Sequence, residues 1–371
     1  MLQATSRRSR PLVGPTRADD VVRLQRVHDV RLTGLIVSGA QGKWHAGIRV
    51  EDSSAVTLDR LVLSDNTSFG AAVEDSSDVR LTANSIYRNE TGVQISRGGR
   101  ALIARNAIHH NDRLIVNDAA PLNDRGANAL VFYRSKGPIL VEGNRIWANR
   151  GPSRDFGHDG GAFEVYDSSH LTIRRNVVYD NQNVMETGTS PGGSCQDNKF
   201  YENVAYGAAT TGPAMGLILR CARSMLVAFN SFYGLDAFVY DINARAPPFG
   251  ASIDGLTIAD NVAVSHGQRV YSIDSALPRS VRLDGNLAWD ATGRRLAYVA
   301  GAGNTPSLAR FTQWTGLERN GIQADPRFRR AARGDLRVRR GSPAIDRGRR
   351  LGGLRRKFSG RAPDLGRYEV R

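Results

Sequence analysis

Glu164 and Glu186 stand 22 residues apart in two segments of the same kind, AFEV from Ala162 and NVME from Asn183. If 22 residues make one turn of a coiled chain, the two side chains leave adjacent strands at the same outward phase. Adjacent strands lie about 4.8 Å apart, so the carboxyls would sit on the order of 5 Å apart. Like charges that close cannot both ionise cheaply, so one carboxyl keeps its proton near neutral pH while the other is charged. That pairing suits a general acid and a nucleophile, and about 5 Å is the separation found in retaining glycosidases. A competing chemistry uses the pair to hold Ca²⁺ while a nearby cation abstracts a proton from a uronate; Arg220 could serve there, or clamp a substrate carboxylate. The loop DFGHDGG puts Asp155, His158 and Asp159 directly before the Glu164 strand, where an acid or base would overhang the pair. Phe132 could stack a sugar ring, and Asp241 in FVYDIN lies two coils further on. The plainer alternative is two solvated glutamates, each paired with a loop arginine such as Arg154.

A repeat must position these residues. VRLTANSIYRN from Val79, ALIARNAIHHN from Ala101, ILVEGNRIWAN from Ile139 and LTIRRNVVYDN from Leu171 are copies of one phrase. SCQDNKFYENV from Ser194, MLVAFNSFYGL from Met225, LTIADNVAVSH from Leu256 and VRLDGNLAWDA from Val281 continue it. Each is a short alternating apolar run, an Asn, and a second alternating run, which reads as strand, turn, strand. The Asn positions, 84, 106, 144, 176, 198, 230, 261 and 286, define a step near 22 with variable insertions, the signature of stacked coils. Their reading is structural: Asn ladders bonding turn backbone from coil to coil.

Another short strand precedes each copy. Alternation sends Val50, Val73, Ile95, Val165 and Leu219 inward and leaves an outward column of Arg49, Ala72, Gln94, Phe132, Glu164, Glu186 and Ile218. Long connections at residues 112–128, 150–161 and 204–215 flank a minimal one at 181–183. They would make walls around a floor at Phe132, Glu164 and Glu186.

The coils TGVQISRGGRALIARNAIHHN and GAFEVYDSSHLTIRRNVVYDN resemble the right-handed parallel β-helix repeat of the pectin-lyase-like superfamily. The resemblance implies an all-β fold: a single right-handed parallel β-helix of roughly nine to eleven coils over residues 21–300. Residues 1–20 would form an N-terminal extension. Residues 301–371, with SPAIDRG and PDLGRYE, are similar to the closing segment of many bacterial secreted β-helix proteins and read as a cap over the last open edge.

Such relatives are mostly polysaccharide lyases, glycoside hydrolases and epimerases, with a minority of non-catalytic surface proteins. The implied partner is a polysaccharide or oligosaccharide in an extracellular or cell-surface setting. No cofactor is implied, apart from Ca²⁺ in the lyase case, where the family pairs a Lys and an Arg on neighbouring coils; Lys199 and Arg220 have that spacing. Individual family motifs do not carry over. The polygalacturonase N-T-D, D-D and G-H-G series is missing, and FGHD lacks the Asp and Pro of the epimerase motif. There is no P-loop, dinucleotide fingerprint or zinc-ligand spacing.

The formal charge of +15 is concentrated at one end. Residues 327–371 carry fifteen Arg and one Lys against four acids, a net of +12, which leaves about +3 for everything before them. No aromatics interleave with these arginines as single-strand stacking requires, so no nucleic-acid partner is expected and the tail reads as a solvated basic surface. No signal peptide is visible and no apolar run approaches the roughly 18 residues of a membrane span. Cys195 and Cys221 fall at different phases of consecutive coils in this register, which disfavours a disulfide.

Overall fold

The computed structural model describes residues 2–3, 12–14, 19–190, 193, 195–207, 214–243 and 252–370. The fold is the right-handed parallel β-helix expected, its regular elements nearly all strand. Contacts divide the chain into two compact units, Met1–Thr172 with Asn181–Glu186, and Ile173–Asp180 with Thr187–Arg371.

In the first unit one coil runs through strands Thr91–Ser96, Ala101–Ala104 and Ala107–His109. Each strand pairs in parallel with its counterpart in the next coil: Val93 meets Leu130, Ala101 meets Ile139 and Ile108 meets Ile146. Alternation sends Val93, Ile95, Ile103 and Ile108 into the interior, where none is more than 1% exposed. Pairing begins ahead of Val21, because Leu12–Val13 lies parallel to Ile36–Val37.

The corners explain the asparagines. The residue before each ladder Asn has left-handed backbone, with φ 54° at Ala83 and 57° at Arg105. A non-glycine residue there costs on the order of 1 kcal/mol. The Asn that follows offsets it. Asn84 donates its backbone N–H (2.9 Å) and its Nδ2 (3.0 Å) to Asn106 Oδ1, and Asn106 does the same to Asn144. In the second unit Asn176, Asn203, Asn230, Asn261 and Asn286 repeat the device.

Asn203, not Asn198, occupies the ladder. The strand Lys199–Tyr201 and the left-handed Glu202 precede it, as Arg175 precedes Asn176, so the coil starts five residues later than the SCQDN alignment implies. A second ladder, which the sequence reading does not anticipate, joins Asn66, Asn89, Asn111, Asn149 and Asn181 at another corner of the first unit.

The register correction also reverses the expectation for the cysteines. Cys195 and Cys221 reach matching corners of successive coils and form a disulfide, their Cα atoms 5.8 Å apart. Arg223 N–H donates to Cys195 O across the same step. The bridge closes a loop of 26 residues. Its reduction is expected to lower stability by about 3 kcal/mol, read as a lower urea midpoint in the presence of a reductant.

The last coil of the second unit is closed rather than left as an edge. Ala297–Val299 turns back into an antiparallel strand, Gly303–Thr305, and helix Leu308–Thr315 follows. The Ser307 hydroxyl accepts the Arg310 N–H at the start of this helix, and left-handed Gly316 ends it. Buried Phe311 stacks on Tyr271. Glu318 then stands where the next ladder Asn would be, its carboxylate accepting the Asn286 N–H, the Asn286 Nδ2 and the Tyr271 hydroxyl. The SPAID and DLGRYE strings meet through Asp364, which accepts the backbone N–H groups of Asp346 and Val370, and Arg356 from the segment between them pairs with Glu369.

Candidate active site

Glu164 is the fourth residue of strand Gly161–Tyr166, and Glu186 is the fourth residue of its neighbour in the sheet, Asn183–Gly188. The floor beneath them is a column in parallel register: Arg49, Ala72, Gln94, Val131 and Glu164. Val131 stands where Phe132 was expected. Phe132 pairs with Ile95 and Val165 and is fully buried, because strand Asn128–Tyr133 puts its third apolar residue outward and its fourth in the core. A core residue cannot stack a sugar ring.

Two of the three expected walls are hairpins; of the third, at 204–215, residues 208–213 lie outside the described residues, and it belongs to the second unit. Leu114–Val116 runs antiparallel to Arg125–Gly126, and Gly151–Ser153 to Gly157–Asp159. Gly160, at φ +113°, ends the second hairpin so close to the first that a Cβ would lie 2.3 Å from Ala127 O. The loops clasp each other reciprocally. Asp155 accepts the N–H groups of Asn123 and Asp124, while Asp124 accepts the Asp155 N–H and the Ser153 hydroxyl. Asp155 therefore holds the wall together, and His158 sits opposite Pro152 within the hairpin. Asp159, whose Oδ1 accepts the Gly160 N–H, is the loop carboxyl that couples electrostatically to both glutamates.

The electrostatics single out three carboxyls. Burial, and then the Glu186 charge, push Glu164 up to about 7, against a partial offset from Arg125. Burial raises Asp159 to about 6; the Gly160 N–H opposes this and the Glu186 charge adds to it. Glu90, beneath the floor and fully buried, is raised to about 8 mainly by burial, with Arg125 opposing. Neither Glu90 oxygen has a hydrogen bond of ordinary length, and Arg125 Nε lies 3.9 Å away.

These shifts have a stability consequence. All three groups bind protons more tightly folded than unfolded, so the stability they confer is complete below about pH 4. It is lost as pH rises through 6, 7 and 8. Surface carboxylates lowered by arginines, such as Asp75 beside Arg97, titrate below that window. The urea midpoint is expected to fall between pH 5 and pH 9, and Glu90→Gln to flatten that fall.

The cavity over the floor has a volume of about 410 Å³. Trp44, Arg97, Arg125, Asn128, Tyr133 and Tyr166 line it together with Glu164 and Gln94. Asn128 Nδ2 donates to Glu164 Oε2 at 2.7 Å. Arg125 donates to Gln94 Oε1 and lies 4.4 Å from the Trp44 ring centroid. Sequence reasoning missed Glu90, Arg125, Asn128 and Trp44. It could have reached Tyr133 and Tyr166, which stand two residues beyond Val131 and Glu164 and so share their outward face. Asp19, Asp20 and His45 bring ligand atoms within 4.8 Å of one another, but the Asp20 carboxylate already accepts from Ala46 N–H and Arg49 Nε.

The remaining expected residues lie in the second unit, and none of them lines this cavity. Asp241 stands in an outward column between Ile218 and Ser272. Arg220, partly exposed, follows strand Met215–Leu219. Lys199 belongs to a different sheet from Asp241, pairing with Leu226, and its Nζ comes against Gly353 of the cap. The five-residue register shift puts Lys199 in the strand before its coil's ladder asparagine, not in the strand after it.

Comparison with known proteins agrees with the architecture. The family described as "right handed beta helix region" matches residues 46–221. Among solved structures, the crystal structure of pectate lyase Pel9A aligns over 91% of this chain and 88% of its own, with a TM-score of 0.57 at 13% identity. The Dettilon tailspike protein aligns over 78% and 61%, with a TM-score of 0.47 at 11% identity. An alginate lyase from Paenibacillus sp. str. FPU-7 aligns over 84% and 99%, with a TM-score of 0.23 at 11% identity. No curated protein sequence matches the chain. At such identities the first likeness is one of fold.

Proposed function

We propose that this chain, a right-handed parallel β-helix protein, hydrolyses glycosidic bonds of a glycan lying across the first unit's floor, with Glu164 as general acid and Glu186 as nucleophile. The observation that carries this reading is the placement of two carboxyls at equivalent positions of neighbouring strands, one of them raised to about 7 by burial and by its partner's charge. Asn128 occupies Glu164 Oε2, which leaves Oε1 to carry the proton.

Glu164 gives that proton to the departing sugar oxygen as a Glu186 oxygen bonds to the anomeric carbon. Glu164, now charged, takes a proton from water, whose oxygen displaces Glu186 and restores both groups. Tyr133 and Tyr166, with ring centroids 6.1 Å apart, supply apolar faces for sugar rings at the end of the floor. The Cys195–Cys221 disulfide supports an extracellular or cell-surface setting.

Incubation with neutral and acidic polysaccharides, with and without Ca²⁺, tests the reading. New reducing ends that retain the anomeric configuration are expected, with no rise in ultraviolet absorbance. Arg125 beside the carboxyls favours one second reading, a Ca²⁺-assisted lyase acting on uronates. An unsaturated, ultraviolet-absorbing product that disappears with a chelator would replace hydrolysis by that chemistry. Glycan retention with no product over long incubation would leave a binding module.

A further inference from the structure

The cap carries a second feature unrelated to the carboxyl pair. Residues 347–357, RGRRLGGLRRK, hold six cations and no acid. In the second unit they fold around a cavity of about 450 Å³ with an apolar floor of Phe229, Leu351, Leu354, Phe358 and Pro363. Two of the cations are structural. Arg349 pairs with Asp260 and Asp284, and Arg356 pairs with Glu369 while its guanidinium covers the Phe229 ring at 4.3 Å. Of the other four, Arg347 is exposed away from the cavity lining, while Arg350, Arg355 and Lys357 are exposed at its rim and make no ion pair among the described residues.

Three uncompensated cations around an apolar floor ask for a ligand with an apolar face and anionic substituents. The geometry of the floor selects among such ligands. Nucleobases need free aromatic faces, but Phe229 is 1% exposed and Arg350 covers Phe358 at 5.2 Å. A membrane surface needs protruding apolar side chains, and no large apolar residue of the described cap is exposed. A pyranose ring suits a recessed floor: its C–H face lies flat while carboxylate or sulfate groups reach guanidiniums at the rim.

We propose that the cap cavity is an anionic-glycan binding site, separate from the candidate active site, with Arg350, Arg355 and Lys357 as its anion contacts. It does not rest on the hydrolase reading, since binding here needs no cleavage in the groove.

The test measures binding of the full chain to heparin, with neutral dextran, single-stranded poly(dT) and phosphatidylglycerol vesicles as comparators. Heparin is expected to bind, more weakly as salt rises, and more tightly than poly(dT) or the vesicles; dextran is expected not to bind. The variant R350E/R355E/K357E is expected to weaken heparin binding on the order of 30-fold, since each exposed pair contributes up to a few-fold. R350Q/R355Q/K357Q, checked for an unchanged unfolding midpoint, should weaken it by less. Heparin affinity unchanged in both variants, or tighter binding of poly(dT) or vesicles, would overturn the proposal.

Discussion

Replacing Glu164 by Gln is expected to slow release of sugar from a natural polysaccharide by about three orders of magnitude, the range a positioned general acid supplies. The substitution is conservative where it should be. The Gln carbonyl still accepts Asn128 Nδ2, so the side chain keeps its place, while its amide N–H is too weakly acidic to transfer a proton to the leaving oxygen. Substrates with a good leaving group should be affected far less, because they depart without protonation. A merely structural role for Glu164 would slow both alike.

The pH profile gives a second readout. With Glu164 raised to about 7, the competent form is the protonated one, so activity holds below that value and declines as pH rises through it. In Glu164→Gln that alkaline limb should vanish from the residual activity. Glu186→Gln should abolish turnover whatever the leaving group, because no glycosyl ester can form. It should also let the Glu164 pKa fall, since the Glu186 charge is one of the causes holding it up. Wild-type rates in either variant would remove the mechanism and leave the fold untouched.

Replacing Asn106 by Ala is expected to destabilise the first unit by about 4 kcal/mol, without any contact to the cavity. Asn106 is 2% exposed, and its amide makes four bonds. It accepts the Asn84 N–H and Nδ2, and donates to Asn144 Oδ1 and Leu81 O. Alanine strands these partners in the interior, each at roughly 1–3 kcal/mol, with Asn84 Nδ2 partly spared by its second bond to Leu58 O. A solenoid has few ways to relax around such a gap, because every rung repeats the same corner.

The contrasting substitution is Arg105→Gly at the neighbouring position. Arg105 is exposed at φ 57°, where glycine is unstrained, so this change should be nearly neutral or slightly stabilising. Urea midpoints of the two variants check the pair of expectations. Similar losses in both would mean that corner backbone, rather than the amide ladder, carries the stability.

The residues show why some features were readable before folding and others were not. Glu164 and Glu186 were legible because a period of 22 and a strand period of two are local properties of the chain. Phe132 failed by one position, and with a period of two one position separates the surface from the core. Asn198 failed because NKFYEN offers two asparagines, and only contact with neighbouring rungs selects Asn203. The disulfide followed that choice.

The amino-acid sequence by itself determined the coil, its apolar interior, the asparagine corners and the two carboxyls on one face, since each needs only short-range alternation repeated at a fixed interval. Tertiary structure alone decided that Glu164 is raised, that Glu90, Arg125 and Asn128 lie around it, and that the cap arginines divide into paired and free. Those outcomes depend on desolvation and on distances between loops far apart in the chain, and neither quantity is written in any local pattern.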